Sequence, residues 1–333
     1  MGTLQDTVRA LLIPYKGILA ADESDSTCAK RFDKYGIEKT PGMRRAWREL
    51  LFSTPDVSDG LSGIILYDET IRQKASTDEP FAEFLSKRGI LTGIKVDQKT
   101  EPFGSAGEEV TKGLAGLPQR LAEYMTLGAK FTKWRAVIRI GTNLPTEECL
   151  LENAKRMAAY AKASQTAGLV PIVEPEVLLD GTHTLARSNT VLTETLRVTF
   201  DELKKIGVDL SGLILKSSMA LPGKESGIAV TPAEVAAATL RAFTVAVPEE
   251  VPGIVFLSGG QSAEEATERL NEIVRQAKKT NAPWRITFSY SRALQDPVLQ
   301  AWAGNSENTL AAQRIFQTRV QETSAASEGT YVA

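Results

Sequence analysis

The stretch ENAKRMAAYAKASQTAG at residues 152–168, followed at once by LVPIVEPE at residues 169–176, decides the fold class. The first segment has a helical pattern and ends on a glycine, as helices tend to do. The second is a short apolar run rich in β-branched residues, and KWRAVIRI at 133–140, before the helix, is of the same kind. A strand, a helix and a second strand in this order are typical of an α/β protein.

The same alternation covers most of the chain. The other short apolar runs are GILAAD (17–22), GIILYD (63–68), LTGIKVD (91–97), GLILK (212–216), GIVFLSG (253–259) and RITFSYS (285–291). Between them, Thr231 and Ser262 each stand three residues before a glutamate, the pattern of a capping box at a helix N-terminus. Eight strand–helix units predict an α/β fold, a (β/α)8 TIM barrel. A doubly wound open sheet is the alternative, but no G-x-G-x-x-G follows the first strand.

The domain organisation predicted from these patterns is a single catalytic domain. No Pro-, Ser- or Gly-rich linker divides the chain, so the barrel is predicted to cover residues 1–317. After that the sequence TRVQETSAASEGTYVA turns small and polar, which predicts a mobile C-terminal tail over residues 318–333.

The composition is that of a globular protein, with 42% hydrophobic and 24% charged residues. A formal net charge of -2 gives no overall attraction to nucleic acid or to acidic membranes. No apolar run approaches the roughly 20 residues that a membrane helix needs. The first residues lack the order of a signal peptide, so we expect a cytoplasmic protein with neither nucleic-acid nor membrane partners.

The scarcity of histidine and cysteine excludes several kinds of site. His183 is the only histidine, which rules out a zinc site built from several histidines and leaves a Ser-His-Asp triad only this one loop residue. The two cysteines, Cys28 and Cys149, form no CxxC motif and suggest no disulfide framework. Acid–base chemistry must therefore depend mainly on carboxylates and lysines.

Ionisable residues stand at the carboxyl ends of several predicted strands, where a barrel of this kind places its chemistry. Lys133 and Arg135 are two residues apart, as are Glu174 and Glu176, so each pair projects to one face of its strand. If these faces point inward, neighbouring strands bring them together with Lys216. The alternative is a buried ion-pair network without chemistry, although desolvation makes such networks poor stabilisers. Further ionisable residues near strand ends are Asp22, Lys95 and Arg292.

Lys216 ends an apolar strand, a position at which lysine is uncommon because its ammonium is rarely buried without a partner. One possibility is that only its stem is buried and the ammonium reaches the surface. The other is that a neutral Lys216, favoured by burial and by the nearby cation Lys133, attacks a ketone. This gives a carbinolamine and then an iminium, which is an electron sink for breaking an adjacent carbon–carbon bond. Proton transfers would then fall to Glu174, Glu176 and Asp22.

The segment FLSGGQS at 256–262 leads directly into a predicted helix and suggests a phosphate site. Ser258, Gly259 and Gly260 can present backbone N–H groups near that helix N-terminus. Barrels often bind phosphate after strands seven and eight, and Arg292 follows the eighth, although a glycine pair alone more often only forms a turn. A second anion site is predicted after the first strand, unless its helix residues simply face solvent; it would comprise Ser24, Thr27, Lys30, Arg31 and Lys95.

Together these motifs resemble those of class I fructose-bisphosphate aldolases. The matching segments are KGILAADES, GIKVD, KWR, IVEPE, LILK, FLSGGQS and SRALQ, in this order along the chain. The resemblance implies reversible cleavage of fructose 1,6-bisphosphate to dihydroxyacetone phosphate and glyceraldehyde 3-phosphate, in glycolysis or gluconeogenesis. It also implies a lysine Schiff base with no metal or other cofactor, and a homo-tetramer.

The resemblance assigns a role to each matching residue. Lys216 is the Schiff-base lysine, Glu174 exchanges protons around the iminium, and Glu176 is its neighbour close to the lysine. Asp22 positions the substrate and helps remove the C4 hydroxyl proton. The residues that would hold substrate are Lys133, Arg135 and Arg44, with Ser258, Gly259, Gly260 and Arg292 at the C1 phosphate and Ser24, Arg31 and Lys95 towards the C6 phosphate.

Three features depart from the family pattern. Lys216 is followed by Ser217 and Ser218 where Lys-Pro-Asn is usual, and Ser291 replaces the usual glycine before the RALQ arginine. Tyr331 differs in position from the terminal tyrosine of the family. Two other functions stay open, namely a Schiff-base aldolase for another phosphorylated sugar and a non-catalytic scaffold. The scaffold is disfavoured because the lysine and the carboxylates of the matching motifs are all present.

Overall fold

The computed structural model describes residues 2–105 and 107–332. The described residues form ten strands: β1 (Gly17–Ala21), β2 (Leu61–Leu66), β3 (Leu91–Lys95), β4 (Thr100–Phe103), β5 (Glu108–Thr111), β6 (Phe131–Ile138), β7 (Val170–Val177), β8 (Ile214–Ser217), β9 (Gly253–Phe256) and β10 (Arg285–Tyr290). Eight of them pair in parallel in the closed order β1-β10-β9-β8-β7-β6-β3-β2. The predicted (β/α)8 barrel is therefore confirmed, and its eight strands are the eight predicted runs, displaced by two residues at most at their starts.

The other two strands, β4 and β5, form a separate antiparallel hairpin between β3 and the helix that follows. The sequence analysis missed this hairpin. Its strands TEPF and EEVT contain charged residues and a proline, so they lack the apolar pattern that marks the barrel strands.

Helices follow the strands around the outside of the barrel. They are α1 (Leu4–Leu11), α2 (Asp25–Asp33), α3 (Pro41–Phe52), α4 (Val57–Gly60), α5 (Asp68–Ile71), α6 (Phe81–Ser86), α7 (Leu117–Thr126), α8 (Glu147–Thr166), α9 (Leu185–Lys205), α10 (Pro232–Ala246), α11 (Ala263–Lys279), α12 (Arg292–Trp302) and α13 (Thr309–Ala326). Thr231 and Ser262 cap α10 and α11 with the predicted capping boxes. None of the helices in the described residues combines the length and apolarity that a membrane span requires.

The interior of the barrel is packed with apolar side chains and is closed at the amino ends of its strands. Strand residues such as Ile18, Phe131 and Ile172 form this inner core together with the apolar face of α1. Leu11, which ends α1, and Leu12 after it lie directly against Gly63 of β2 and Gly253 of β9, because a β-carbon on either glycine would collide with them. Access from outside is therefore left at the carboxyl ends of the strands, where barrels carry their active sites.

The polar tail predicted from residue 318 instead belongs to α13, which runs through that position to Ala326. Val320 and Ser324 are buried against Gly60, where a β-carbon would overlap their side chains. Arg319 is buried as well and donates hydrogen bonds of 2.9 Å to the Ala263 carbonyl and of 2.7 Å to the Thr267 hydroxyl. Small side chains therefore mark close helix packing here, although the same composition is typical of a solvated terminus.

Candidate active site

A cavity of about 1080 Å³ opens at the carboxyl ends of the barrel strands. It brings together residues from both ends of the chain. Of the fourteen residues to which the family resemblance assigns a role, twelve line it: Asp22, Ser24, Arg31, Lys95, Lys133, Arg135, Glu174, Glu176, Lys216, Ser258, Gly259 and Arg292. Thr27 and Lys30 of the second predicted anion site line it as well. Gly260 lies directly beside this lining. Arg44 does not reach it, because its guanidinium is paired with Glu69 through two hydrogen bonds of 2.6 Å.

Four buried charges form a continuous chain at the centre of the cavity. Lys216 Nζ lies 3.0 Å from Glu174 Oε1, and Glu174 Oε2 lies 3.2 Å from Lys133 Nζ. Lys133 Nζ in turn lies 2.6 Å from Asp22 Oδ2. The paired side chains on β6 and β7 thus do face inward, as their two-residue spacing predicted, while Trp134 points to the other side of β6 and stacks on a tyrosine of α8.

These charges set each other's protonation. Burial by itself raises the pKa of Glu174, but the charges of Lys133 and Lys216 outweigh it and hold that pKa below its usual range. Burial likewise raises the pKa of Asp22, and the same two lysines reverse the effect and place it far below an ordinary aspartate. Burial lowers the pKa of Lys133, but Asp22 and Glu174 raise it well above the usual value. Both carboxylates are thus ionised at neutral pH, and Lys133 is charged.

Among these four charged side chains, one fully buried carboxylate oxygen accepts no hydrogen bond. Oε2 of Glu174 is fully buried and accepts none from the described residues, since Lys133 approaches it outside hydrogen-bond geometry. Buried polar atoms are normally hydrogen-bonded, so a free one inside a cavity indicates a place for a ligand group. Ser289 is a second case, because its buried hydroxyl also lines the cavity without a partner within the described chain.

Arg135 and Glu176 form a further ion pair next to the four buried charges. Arg135 donates a hydrogen bond to Glu176, and no other cation of the described residues lies within 4.0 Å of the Glu176 carboxylate, Lys216 included. Lys95 is paired with Asp97, which also accepts a hydrogen bond of 3.2 Å from the Arg135 amide. The sequence analysis did not single out Asp97, although it ends the predicted strand LTGIKVD.

The two serines after Lys216 join neighbouring strands. Ser218 Oγ accepts a hydrogen bond of 3.1 Å from the Val177 amide and donates one of 2.9 Å to the Val177 carbonyl. Ser217 is fully buried, and its hydroxyl donates to the Ser218 carbonyl at 3.0 Å. The departure from Lys-Pro-Asn thus fixes the end of β8 to the end of β7, the strand that carries Glu174.

The loop after β9 has the geometry of an anion site. Gly259 and Gly260 have φ values of 59° and 88°, in the left-handed region that glycine adopts without strain. The loop leads into α11, whose N-cap is Ser262, and Arg292 begins α12 beside it. The described residues offer Arg292 no carboxylate within 4.0 Å, so its guanidinium lines the cavity without an ion pair.

The group predicted after β1 is also assembled, but around a carboxylate that the sequence analysis overlooked. Ser24 caps α2, and Thr27 lines the cavity next to it. Glu23 is buried and pairs with Arg31 and Arg48, each at 2.6 Å, and accepts a hydrogen bond of 2.6 Å from Ser291. The matched segment KGILAADES contains Glu23, but its partners Arg48 and Ser291 come from other parts of the chain.

Glu23→Gln is expected to lower the free energy of unfolding by about 3 kcal/mol, since it leaves the charge of Arg48 buried without a counter-ion. Arg48 is only 2% exposed, and Glu23 is its one ion-pair partner among the described residues. Urea unfolding followed by circular dichroism measures the change. Asp33→Asn breaks an exposed pair with Lys39 and is the control, expected below about 1 kcal/mol. If both variants lose the same free energy of unfolding, the burial of Arg48 does not increase the cost of removing its counter-ion.

Within the described residues, no group of three or more His, Cys, Asp or Glu side chains is arranged to hold a metal ion. The four buried charges at the centre of the cavity are instead paired with one another. More lysines and arginines than carboxylates line it, which favours an anionic ligand although the whole chain is weakly acidic.

Comparison with known proteins identifies the family. The family model for class-I fructose-bisphosphate aldolase matches residues 3–333. A probable fructose-bisphosphate aldolase class 1 of Xanthomonas axonopodis pv. citri is 47% identical over 98% of both chains. The cytosolic fructose-bisphosphate aldolase 4 of Arabidopsis thaliana is 47% identical over 96% of this chain and 81% of its own. Fructose-bisphosphate aldolase of Plasmodium falciparum, solved with TRAP and a small-molecule inhibitor, superposes with a TM-score of 0.97 at 41% identity, over 99% of this chain and 95% of its own. This chain belongs to the class-I fructose-bisphosphate aldolase family.

Proposed function

We propose that this aldolase cleaves fructose 1,6-bisphosphate through an imine on Lys216. The observation that carries the proposal is a buried lysine, 3% exposed, whose Nζ lies 3.0 Å from Glu174 inside a cavity with more cations than carboxylates in its lining. Lys216 attacks the C2 ketone, and loss of water gives the iminium. The C3–C4 bond then breaks, its electron pair passes to the iminium to form an enamine, and glyceraldehyde 3-phosphate leaves. Protonation at C3 and hydrolysis release dihydroxyacetone phosphate and restore the lysine.

Glu174 is the group best placed to exchange protons with the imine. It lies within hydrogen-bond reach of Lys216 Nζ, as a general acid or base must, and its Oε2, which accepts no hydrogen bond from the described residues, can take up a proton. We assign the C4 hydroxyl proton to Asp22, the other ionised carboxylate of the chain of charges. Lys133 stays charged between the two carboxylates and stabilises negative charge that develops on substrate oxygens. Glu176 holds Arg135 towards the substrate.

The two phosphates of the substrate fit the two anion sites. Ser258 and Gly259 lie in the loop after β9, the strand that pairs with the strand of Lys216, so with Gly260 and Arg292 they suit the phosphate near the imine. Arg31 and Lys95 line the cavity together with Ser24 and Thr27, and the four suit the C6 phosphate. Arg44 has no place in this assignment.

Sodium borohydride added with dihydroxyacetone phosphate is expected to leave one stable adduct, on the peptide that contains Lys216. The reduction converts the imine to a secondary amine, and peptide mass spectrometry locates it. Cleavage is expected to continue in EDTA, because every proposed step uses the chain's own side chains. An adduct on another lysine would refute the assignment of Lys216. Trapping with little cleavage of the bisphosphate would point to another phosphorylated sugar.

We place the enzyme in the cytoplasm, in line with the Arabidopsis relative named cytosolic and a Spinacia oleracea relative named a cytoplasmic isozyme. Assembly into a homo-tetramer stays a prediction from the resemblance.

A further inference from the structure

Lys224 lies in the segment that follows β8, at a place where the sequence analysis predicted no site residue. This segment, residues 218–230, contains neither helix nor strand and is held against the segment that follows β7. The Lys224 amide donates a hydrogen bond of 2.9 Å to the Leu179 carbonyl, and the Gly223 amide donates one of 2.8 Å to the His183 carbonyl. The backbone of Lys224 is therefore fixed, while its side chain is 41% exposed and its Nζ lies beside Gly260 in the loop after β9.

The ammonium of Lys224 converges with the guanidinium of Arg292 on Gly260. A β-carbon on Gly260 would lie 2.8 Å from Lys224 Nζ and 3.0 Å from Arg292 Nη1. The two cationic groups are thus at most about 6 Å apart. Like charges at this separation repel, so this arrangement costs free energy unless an anion lies between them.

The carboxylates of the described chain compensate the pair only weakly. Arg292 has none within 4.0 Å, and Lys224 has only Asp180, at 3.8 Å. The Asp180 side chain is 61% exposed, and an exposed ion pair of this length contributes little. A dianionic phosphate next to Gly259 and Gly260 supplies the missing charge, and it competes easily with so weak a partner.

We infer that Lys224 is a further phosphate-binding residue, which acts with Arg292 on the phosphate nearest the imine. The inference rests on the proposed function, because it takes the loop after β9 as the seat of that phosphate. Gly259 and Gly260 offer backbone N–H groups, Arg292 a planar fork of donors, and Lys224 a point charge on a flexible stem. Lys224 touches no reacting atom, so it contributes to binding the substrate and not to the chemical step.

Lys224→Gln is expected to raise KM for fructose 1,6-bisphosphate about tenfold, the effect of losing one charge-assisted hydrogen bond, with kcat within twofold of the unchanged enzyme. The dihydroxyacetone phosphate concentration that gives half-maximal borohydride trapping should rise by the same factor. Lys224→Arg keeps the charge and should restore KM to within about threefold. Lys279→Gln makes the same charge change at the exposed far end of α11 and should leave every value unchanged.

An unchanged KM in Lys224→Gln, or an equal rise in Lys279→Gln, would overturn the inference. So would a fall in kcat at constant KM, since that places Lys224 in the chemistry. If the unchanged protein traps no imine, the proposed function fails, yet Lys224 can still be tested. Calorimetry with inorganic phosphate then supports the inference if Lys224→Gln binds about tenfold more weakly, and contradicts it if the two affinities agree.

Discussion

Lys216→Met is expected to lower kcat/KM for fructose 1,6-bisphosphate by about 10⁵-fold or more, as the loss of a covalent nucleophile does in other enzymes. Methionine has a similar length and suits a buried strand end, but its thioether forms no imine. The fold should persist, because Glu174 keeps Lys133 at 3.2 Å as a counter-ion. Steady-state cleavage assays measure the loss, and borohydride trapping should leave no adduct on the variant.

Lys133→Met is the matched control for that experiment. It removes the other buried lysine of the same chain of charges, so its effect on local electrostatics is comparable. Cleavage should fall in this variant too, since Asp22 loses its partner, but the adduct should still form on Lys216. If the adduct is lost in Lys133→Met but still forms in Lys216→Met, Lys133 is the lysine that forms the imine, and the assignment of Lys216 is wrong.

The barrel and the centre of the site were predictable because both depend on short-range patterns. A β-branched apolar run marks a strand wherever it stands, and two-residue spacing fixes the shared face of Lys133 and Arg135. Once eight such strands close into a barrel, their carboxyl ends must meet. The buried pairing of Lys216 with Glu174 follows from that geometry.

Features that depend on distant partners were not predictable in the same way. In the sequence, Glu23 is one of several charged residues that follow a strand. Only the folded barrel brings Arg48 and Ser291 into contact with it. Arg44 matched a motif, but Glu69 holds it away from the cavity. The sequence after residue 318 has the composition of a tail, and its burial depends on Gly60, which is far away in sequence.

The effect of the two serines after Lys216 could not be predicted from the sequence either. Their sequence identified a departure from the family pattern but not its consequence. In the structure Ser218 makes two hydrogen bonds to Val177, which aligns the strand that carries the lysine with the strand that carries its acid–base partner. The polar replacement is therefore compatible with an ordered active site.

Glu174→Gln is expected to lower kcat by about 10²- to 10⁴-fold, the usual contribution of a positioned general acid–base group. The amide keeps the shape of the side chain but neither takes up nor releases a proton at neutral pH. It also removes the negative charge between Lys133 and Lys216, so those two cations face each other without compensation. Stopped-flow measurement of imine formation and steady-state cleavage should both show the loss, while KM changes little because the phosphate-binding residues are untouched.

Glu176→Gln is the matched control, since it makes the same change two residues along the same strand. Its carboxylate pairs with Arg135, whereas Glu174 is the only carboxylate of the described chain within 4.0 Å of Lys216 Nζ. We therefore expect its loss in kcat to be at least about tenfold smaller than that of Glu174→Gln, with a rise in KM because Arg135 is less well held. Equal losses in kcat would mean that proximity to Lys216 does not decide which carboxylate transfers the proton, and the role assigned to Glu174 would then be shared by both.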